Sequence, residues 1–463
     1  MTKTMLRGAT ALMAGALAVA GCKELNVEDF NNGDLDELQR NPSQSAVITL
    51  THGLFFGTRE DQGDRNEYVA LLGILGREAY NFDAADPRFV TEMLIGPLDG
   101  GSPAFGGNLF AGPYANIRNA HIVLNALELV QGFSDGEKEG LRGIAKTIQA
   151  LDFLIVINTR DDNGAPIDVD RDPTGDPAPI ATKAEVFAHI AQLLDEGEGH
   201  LTSADVAFPE ALAFTSGFAG FDTPAAFLTF NRALRARVAV YAADYATALA
   251  ALAASFLDDA GSLDLGAYHA FSTRSGDQPN NLFDPSASDI LAHPSIEADA
   301  QLKANTDPDD RFTRKIVALA DPVTVQDITT QVAFQIYNSL SAPIPIIRNE
   351  ELILLRAEAN LGLNQDAAAL TDINLIRTTS GGLDPIGGGA WAALTDAEQL
   401  DELLYNKRYS LLFEGGHRWI DMRRYGRLDQ LPLDLPSHTI HPRFPFPVFE
   451  CDARAGNLPA SGC

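Results

Sequence analysis

The stretch DTPAAFLTFNRALRARVAVYAADY, residues 222–245, decides the fold. Asp222 or Thr223 can cap a helix that starts at Pro224, a position where proline's missing N–H costs nothing. From there Phe227, Phe230, Leu234, Val238, Tyr241 and Tyr245 recur every three or four residues. They make one apolar stripe, with Arg232 and Arg235 off it. After Ala242-Ala243-Asp244, the Ala- and Leu-rich run from Tyr245 to Phe256 predicts a second helix close against the first, since small side chains let helices approach.

The same layout recurs on both sides. Tyr114 to Val130, a loop at Gly132–Gly136 and Glu137 to Asn158 make one pair. Thr182 to Leu201 pairs with 223–243. Arg348 to Leu361 and Ala367 to Arg377 make another, and Asp396 to Glu414 is followed by a short basic helix, Arg418 to Tyr425. Helix pairs at about 114–158, 182–256, 346–377 and 396–425 predict a mostly α, tetratricopeptide-like repeat scaffold. Two stretches break the pattern, about 55–113 and 258–345. Both read as irregular and loop-rich, and in a helical protein loops of that length usually serve function. Their aromatic residues argue against disorder.

With 45% hydrophobic residues in 463, the chain has ample material for a core, which excludes wholesale disorder. Lys and Arg total 34 against 63 Asp and Glu, a net charge of −29. Such a surface repels phosphate backbones, so nucleic acid is not an expected partner.

Lys3 and Arg7 precede an apolar stretch, Ala9 to Ala20, and then Val19-Ala20-Gly21-Cys22. The apolar stretch is shorter than the roughly 20 residues of a membrane span, and small residues before a cysteine suit a lipidating signal peptidase. Residues 1–21 are therefore expected to be a lipoprotein signal peptide, with Cys22 acylated. Acyl chains contribute about 0.8 kcal/mol per buried CH₂, so two or three would anchor the protein durably. Residues 22–45 read as a polar tether and 46–463 as the folded domain. Glu24, Glu28 and Asp29 fit either an acidic surface-export signal or a plain solvated linker. Cys451 and Cys463 could close a small loop in an oxidising compartment.

No Gly-x-Ser-x-Gly, Ser-x-x-Lys, Walker, His-Glu-x-x-His or Cys-x-x-Cys motif occurs. Asp168-Val169-Asp170-Arg171-Asp172 hints at a calcium loop over 168–176, but Pro173 and Pro179 stand where such a loop needs Gly and Glu, so an acidic surface loop is favoured. His438 and His441 lack a third metal ligand in sequence. No metal and no cofactor are expected. Nothing singles out two carboxylates for glycoside hydrolysis. The densest charged cluster, Glu414 to Arg424, reads as a helix corner knit by Arg418–Asp421 and Asp421–Arg424 pairs, with Trp419 packed inward. Arg348, Glu351 and Glu358 share a helix face suited to interhelical salt bridges.

Arg348-Asn349-Glu350-Glu351-Leu352-Ile353-Leu354-Leu355-Arg356-Ala357-Glu358-Ala359, then Asn374-Leu375-Ile376-Arg377, then the Glu414–Arg424 cluster resemble the C-terminal signature of the SusD/RagB family. The resemblance extends to Tyr114–Asn125, Gly164-Ala165-Pro166-Ile167, Ala233–Ala248 and Pro445-Phe446-Pro447-Val448-Phe449-Glu450. There are departures. Asn406-Lys407 and Ser410 stand where the family often has Glu-Arg and Glu, Gly416 is an extra glycine, and the usual Asn falls at Asn125, with His121 earlier.

The resemblance implies a cell-surface, outer-membrane lipoprotein that binds an oligosaccharide or peptide and passes it, without catalysis, to a SusC-type TonB-dependent transporter. The helix pairs would face that transporter and the irregular segments the ligand. Sugars stack C–H faces on aromatic rings, so Tyr80, Phe82, Tyr268, Phe271 and Trp391 are the candidate ligand-binding residues. Glu414, Arg418, Asp421 and Arg424 form the expected structural corner. The alternative is a secreted glycoside hydrolase acting on polysaccharide.

Overall fold

Ser43 starts the first helix, α1 (Gln44–Gly57), its hydroxyl accepting from the Ala46 N–H at 3.2 Å. The computed structural model describes residues 40–171, 175–287 and 289–454. The expected signal peptide, Cys22 and most of the expected tether lie outside them.

A second helix, α2 (Tyr68–Leu75), is apolar all round and buried at every position. Then come α3 (Asn108–Leu129), α4 (Asp135–Arg160), α5 (Lys183–Ser203), α6 (Pro224–Tyr241) and α7 (Tyr245–Ala253). After a break follow α8 (Asn349–Gly362), α9 (Asp366–Thr379), α10 (Asp396–Ser410), α11 (His417–Arg424) and α12 (Val448–Ala453). Reciprocal capping boxes start α4 (Ser134 with Glu137), α5 (Thr182 with Glu185) and α10 (Thr395 with Glu398). Thr223, not Asp222, caps α6, and Asp244 caps α7.

Each helix from α4 to α9 packs on the one before it, which is the stacking of a tetratricopeptide-like repeat. The core runs along this stack. Every residue of α4 from Thr147 to Arg160 is buried. At Gly143 a Cβ would meet Leu201 at 2.5 Å, so α4 and α5 approach through the missing side chain. Arg232, off the apolar stripe, is nonetheless buried, held by Asp195 and Glu198 of α5.

The segment expected to be irregular at 258–345 carries most of the strands. A four-stranded antiparallel sheet has the order β1 (Ala79–Asn81), β5 (Ile290–Ala292), β7 (Ile328–Phe334), β6 (Ile316–Val325). β2 (Ala165–Pro166) pairs β3 (Ile180–Ala181), and β4 (Gly266–His269) pairs β8 (Ile344–Arg348). The β6–β7 hairpin turns on Gln326 and Asp327, both with positive φ, +50° and +65°. Ile328, Thr330 and Val332 point inward while Thr329 and Gln331 are exposed. Likewise 55–113 contains α2 and β1. The scaffold is mostly α, and its excursions are more ordered than their composition suggested.

Candidate functional site

The corner that α8, α10 and α11 build holds two buried charge networks. In the first, Arg348 donates to both oxygens of Glu414 at 3.0 and 3.1 Å and bonds Glu350 as well, and Lys315 reaches Glu414 at 2.7 Å. Burial pushes the Glu350 carboxyl up, but Arg348 and Lys315 outweigh it and hold it at about 2. In the second, Lys407 lies 2.6 Å from Glu358 and 2.7 Å from Asp421, and Arg424 lies 2.7 Å from Glu358 and 2.8 Å from Asp421. Burial is again outweighed, here by Arg424 and Lys407, and Glu358 is held at about 2. Glu351 takes a two-pronged bond from Arg237 of α6, at 2.6 Å on each oxygen.

The positions that depart from the family pattern belong to this machinery. Ser410 donates to Glu350 at 2.6 Å and accepts from Arg311 at 3.1 Å, and Asn406 accepts from Arg311 at 3.0 Å. Gly416 has φ +74°, and a Cβ there would sit 2.3 Å from Leu72 Cβ.

One expected pair does not form. Asp421 bonds Lys407 and Arg424, and Arg418 has no hydrogen-bond or ion-pair partner among the described residues. Asp421 carries a long-range claimant, Lys407, that local spacing does not reveal. Arg418 instead lines an open cleft of about 510 Å³ with Asp401, Tyr405 and Arg408 of α10 and Met422 of α11.

The five candidate rings are placed as follows. Tyr80 and Phe82 stack on each other at 5.1 Å, with Tyr80 against His293. Phe271 lies under the Arg59 guanidinium. Trp391 packs in a small second core with Ile353, Leu354, Ile373 and Leu403. All four are buried, at 0%, 5%, 5% and 2% exposure, and offer no open face to a sugar. This corrects their expected role: the excursions fold back onto the stack, so Tyr80, Phe82 and Phe271 become core, while Trp391, outside the excursions, fills the second core. Tyr268 is half-buried on β4, its hydroxyl donating to the Asp264 carbonyl.

The structure also brings together Ser295, His293 and Asp434. His293 Nδ1 lies 2.9 Å from Ser295 Oγ and Nε2 lies 3.0 Å from Asp434. Nδ1 accepts the Ser295 backbone N–H at 3.1 Å and Arg408 donates to the same Oγ at 2.7 Å. Burial holds the His293 pKa below its ordinary value against the pull of Asp434. The imidazole thus accepts the first N–H of the short helix Ser295–Ala298.

In the acidic loop, Asp168 pairs Arg171 at 3.5 Å and Asp170 pairs His121 at 3.1 Å; residues 172–174 lie outside the described set. Among the described residues no group of three or more His, Cys, Asp or Glu could hold a metal ion, and no helix is long and apolar enough to cross a membrane. Cys451 is disulfide-bonded. Cys463, its expected partner, lies outside the described residues.

The fold and its corner define a helical-repeat protein of SusD-like architecture. A SusD superfamily protein from Bacteroides vulgatus superposes with a TM-score of 0.66 at 13% identity, covering 93% of this chain and 99% of that one. A SusD-like carbohydrate-binding protein from Bacteroides fragilis gives 0.67 at 15%, over 85% and 88%. A laminarin-binding SusD-like protein gives 0.61 at 16%, over 89% and 98%. At those identities the likeness is one of fold. The sequence model of the SusD family matches residues 323–441, the span from β6 through the charged corner. No curated protein matches the chain.

Proposed function

We propose that the chain is a surface-exposed outer-membrane lipoprotein that binds an oligomeric nutrient and hands it, uncleaved, to a SusC-type TonB-dependent transporter. The observation that carries this reading is the SusD-like fold over most of the chain joined to the family match at 323–441. Similar structures described as carbohydrate-binding and laminarin-binding favour a glycan over a peptide. In this reading Cys22 carries the acyl chains, the tether spaces the domain from the membrane, and the helix stack meets the transporter. Of the rings first expected to hold the ligand, Tyr268 stays a proposal.

The test is retention on immobilised polysaccharides and peptides, with assay of reducing ends. Retention without new reducing ends, and co-purification of a large β-barrel from membranes, is expected. Failure to retain any glycan or peptide overturns the binding role.

A catalytic reading draws on one observation, the Ser295–His293–Asp434 relay. Such a relay serves acyl transfer, whereas glycoside hydrolysis uses paired carboxylates. Here the imidazole nitrogen that would take the serine proton already accepts a backbone N–H. Ester hydrolysis that disappears in Ser295→Ala would establish this reading; none is expected.

A further inference from the structure

Asp401, Leu404, Tyr405 and Arg408 fall on one face of α10, and Arg418, Asp421 and Met422 on one face of α11. Between them lies the cleft of about 510 Å³, within the size range of ligand sites. Its charges are almost all spent. Arg408 bonds Asp299 at 2.6 Å and Ser295, Arg427 bonds Asp401, and Asp421 is shared by Lys407 and Arg424. Arg418 is the exception. Its Nε is buried with no acceptor, and no carboxylate bonds its guanidinium.

Arg418 is only half-buried, yet its Nε is out of solvent with no acceptor, and desolvation that no bonded partner offsets is costly. Burial, then the neighbouring Arg408, press the Arg418 pKa below its ordinary value. Glu78 attracts it without bonding it, and burial pushes that carboxyl up to about 7. The cleft thus presents one guanidinium that no carboxylate bonds. Its rim supplies something different: Asp299 and Asp401 keep side-chain exposures of 51% and 61%, leaving lone pairs free to accept hydroxyl groups.

Resting on the nutrient-binding reading, we propose that this cleft binds the carboxylate of an acidic oligosaccharide, a uronate, with Arg418 as its counter-ion. A uronate sets one carboxylate beside several hydroxyl donors, which matches one unspent guanidinium flanked by two acceptor carboxylates. An acidic peptide presents carboxylates in series and would meet Asp299 and Asp401 as like charges. Leu404 and Met422 supply apolar surface for the C–H faces of the ring.

The experiment is calorimetric titration of the full chain with a galacturonate tetramer, a neutral laminarin-derived tetramer and a tetraglutamate peptide. The uronate is expected to bind at least tenfold tighter than the neutral tetramer and to weaken with added salt. Arg418→Gln should cost the uronate at least tenfold, and far more than it costs the neutral tetramer. Gln430→Glu, at an exposed rim position that does not test folding, should weaken the uronate about threefold or more. If Arg418→Gln fails to fold, Gln430→Glu decides. Uronate affinity unmoved by the folded variants, or no tighter than the neutral tetramer, overturns the inference; bound neutral glycan then leaves the nutrient-binding reading standing. Tetraglutamate bound in preference and lost in Arg418→Gln overturns it in favour of an acidic peptide. Binding of none of the three, or of a wider polysaccharide panel, overturns both.

Discussion

The Lys407 ammonium donates to Glu358 at 2.6 Å between side chains that are 2% and 0% exposed. The pair joins α10 to α8, and Asp421 and Arg424 of α11 close the square. Removing one corner of such a buried square leaves a charge unmatched, which typically costs about 3–5 kcal/mol.

Lys407→Met should therefore lower unfolding stability by about 3–5 kcal/mol, since Glu358 and Asp421 would then share Arg424 alone. The urea midpoint of the purified domain measures this. Adding Glu358→Gln removes the surplus negative charge, so the double variant should lose less than the two single losses combined. Strict additivity would show that the square is not a coupled unit.

Asp152 gives the pH dependence. It lies wholly buried on α4, where Asn116 donates to it at 2.8 Å and no cation bonds it. Burial raises it to about 8. Glu67 is raised to about 8 and Asp61 to about 7, burial being the largest cause for each. These groups hold protons in the folded state that the unfolded chain releases near pH 4. Their stabilisation is complete below that pH and is lost as pH rises through about 7 to 8, at up to about 1.4 kcal/mol per pH unit per group. Glu350 and Glu358, both held at about 2, act oppositely: their contribution is present above the ordinary carboxylate range and lost as pH falls through about 2. Melting temperature should thus peak at about pH 4–5, where both contributions are close to complete. Asp152→Asn, which keeps an acceptor for Asn116, should flatten the decline between pH 5 and pH 8. An unchanged slope would refute this assignment.

The helix stack was legible because its signal is local. Phe227, Phe230, Leu234 and Val238 repeat at helical period, and Thr223-Pro224 marks the start whatever else the chain does. The β6–β7 hairpin was hidden because β6 is exposed on most of both faces, so no alternation of buried and exposed residues is written into it. Asp321-Pro322 within the strand also reads as a turn. The weak signal that remained was Ile328-Thr329-Thr330-Gln331-Val332 after Gln326-Asp327. The corner was legible in composition but not in pairing. Spacing within α11 allows Asp421 to meet Arg418 or Arg424, and it is Lys407, from α10, that helps saturate Asp421 and frees Arg418. Likewise an aromatic in a long excursion reads the same whether it faces solvent or, like Tyr80 and Phe82, folds back onto the scaffold.

The left-handed turn before α11 yields a sharper expectation. Gly416 has φ +74°, and a Cβ there would overlap Leu72 of the fully buried α2 at 2.3 Å. Gly416→Ala combines backbone strain of about 1–3 kcal/mol with overpacking of similar size. A loss of roughly 2–5 kcal/mol is expected by chemical denaturation. Gly387, around which a Cβ would find open space, serves as the control, and Gly387→Ala should be near neutral. Equal effects at both sites would contradict the close approach of α11 and α2.

The candidate rings separate stability from recognition. Phe82→Ala and Trp391→Ala delete side chains that are 5% and 2% exposed and should each cost about 3–5 kcal/mol, because the cavity is lined by packed neighbours. Glycan affinity per folded molecule should not change, as neither ring presents a face to solvent. Tyr268→Ala removes a half-buried ring whose hydroxyl bonds only the Asp264 carbonyl, so its stability loss should be smaller. Thermal melts beside titrations with a retained polysaccharide distinguish the two effects. Should Phe82→Ala keep its melting temperature and lose affinity, the burial of that ring would be wrong and its role as a sugar platform restored. Should Tyr268→Ala lose affinity at small cost in stability, the ligand face lies at the β4 edge.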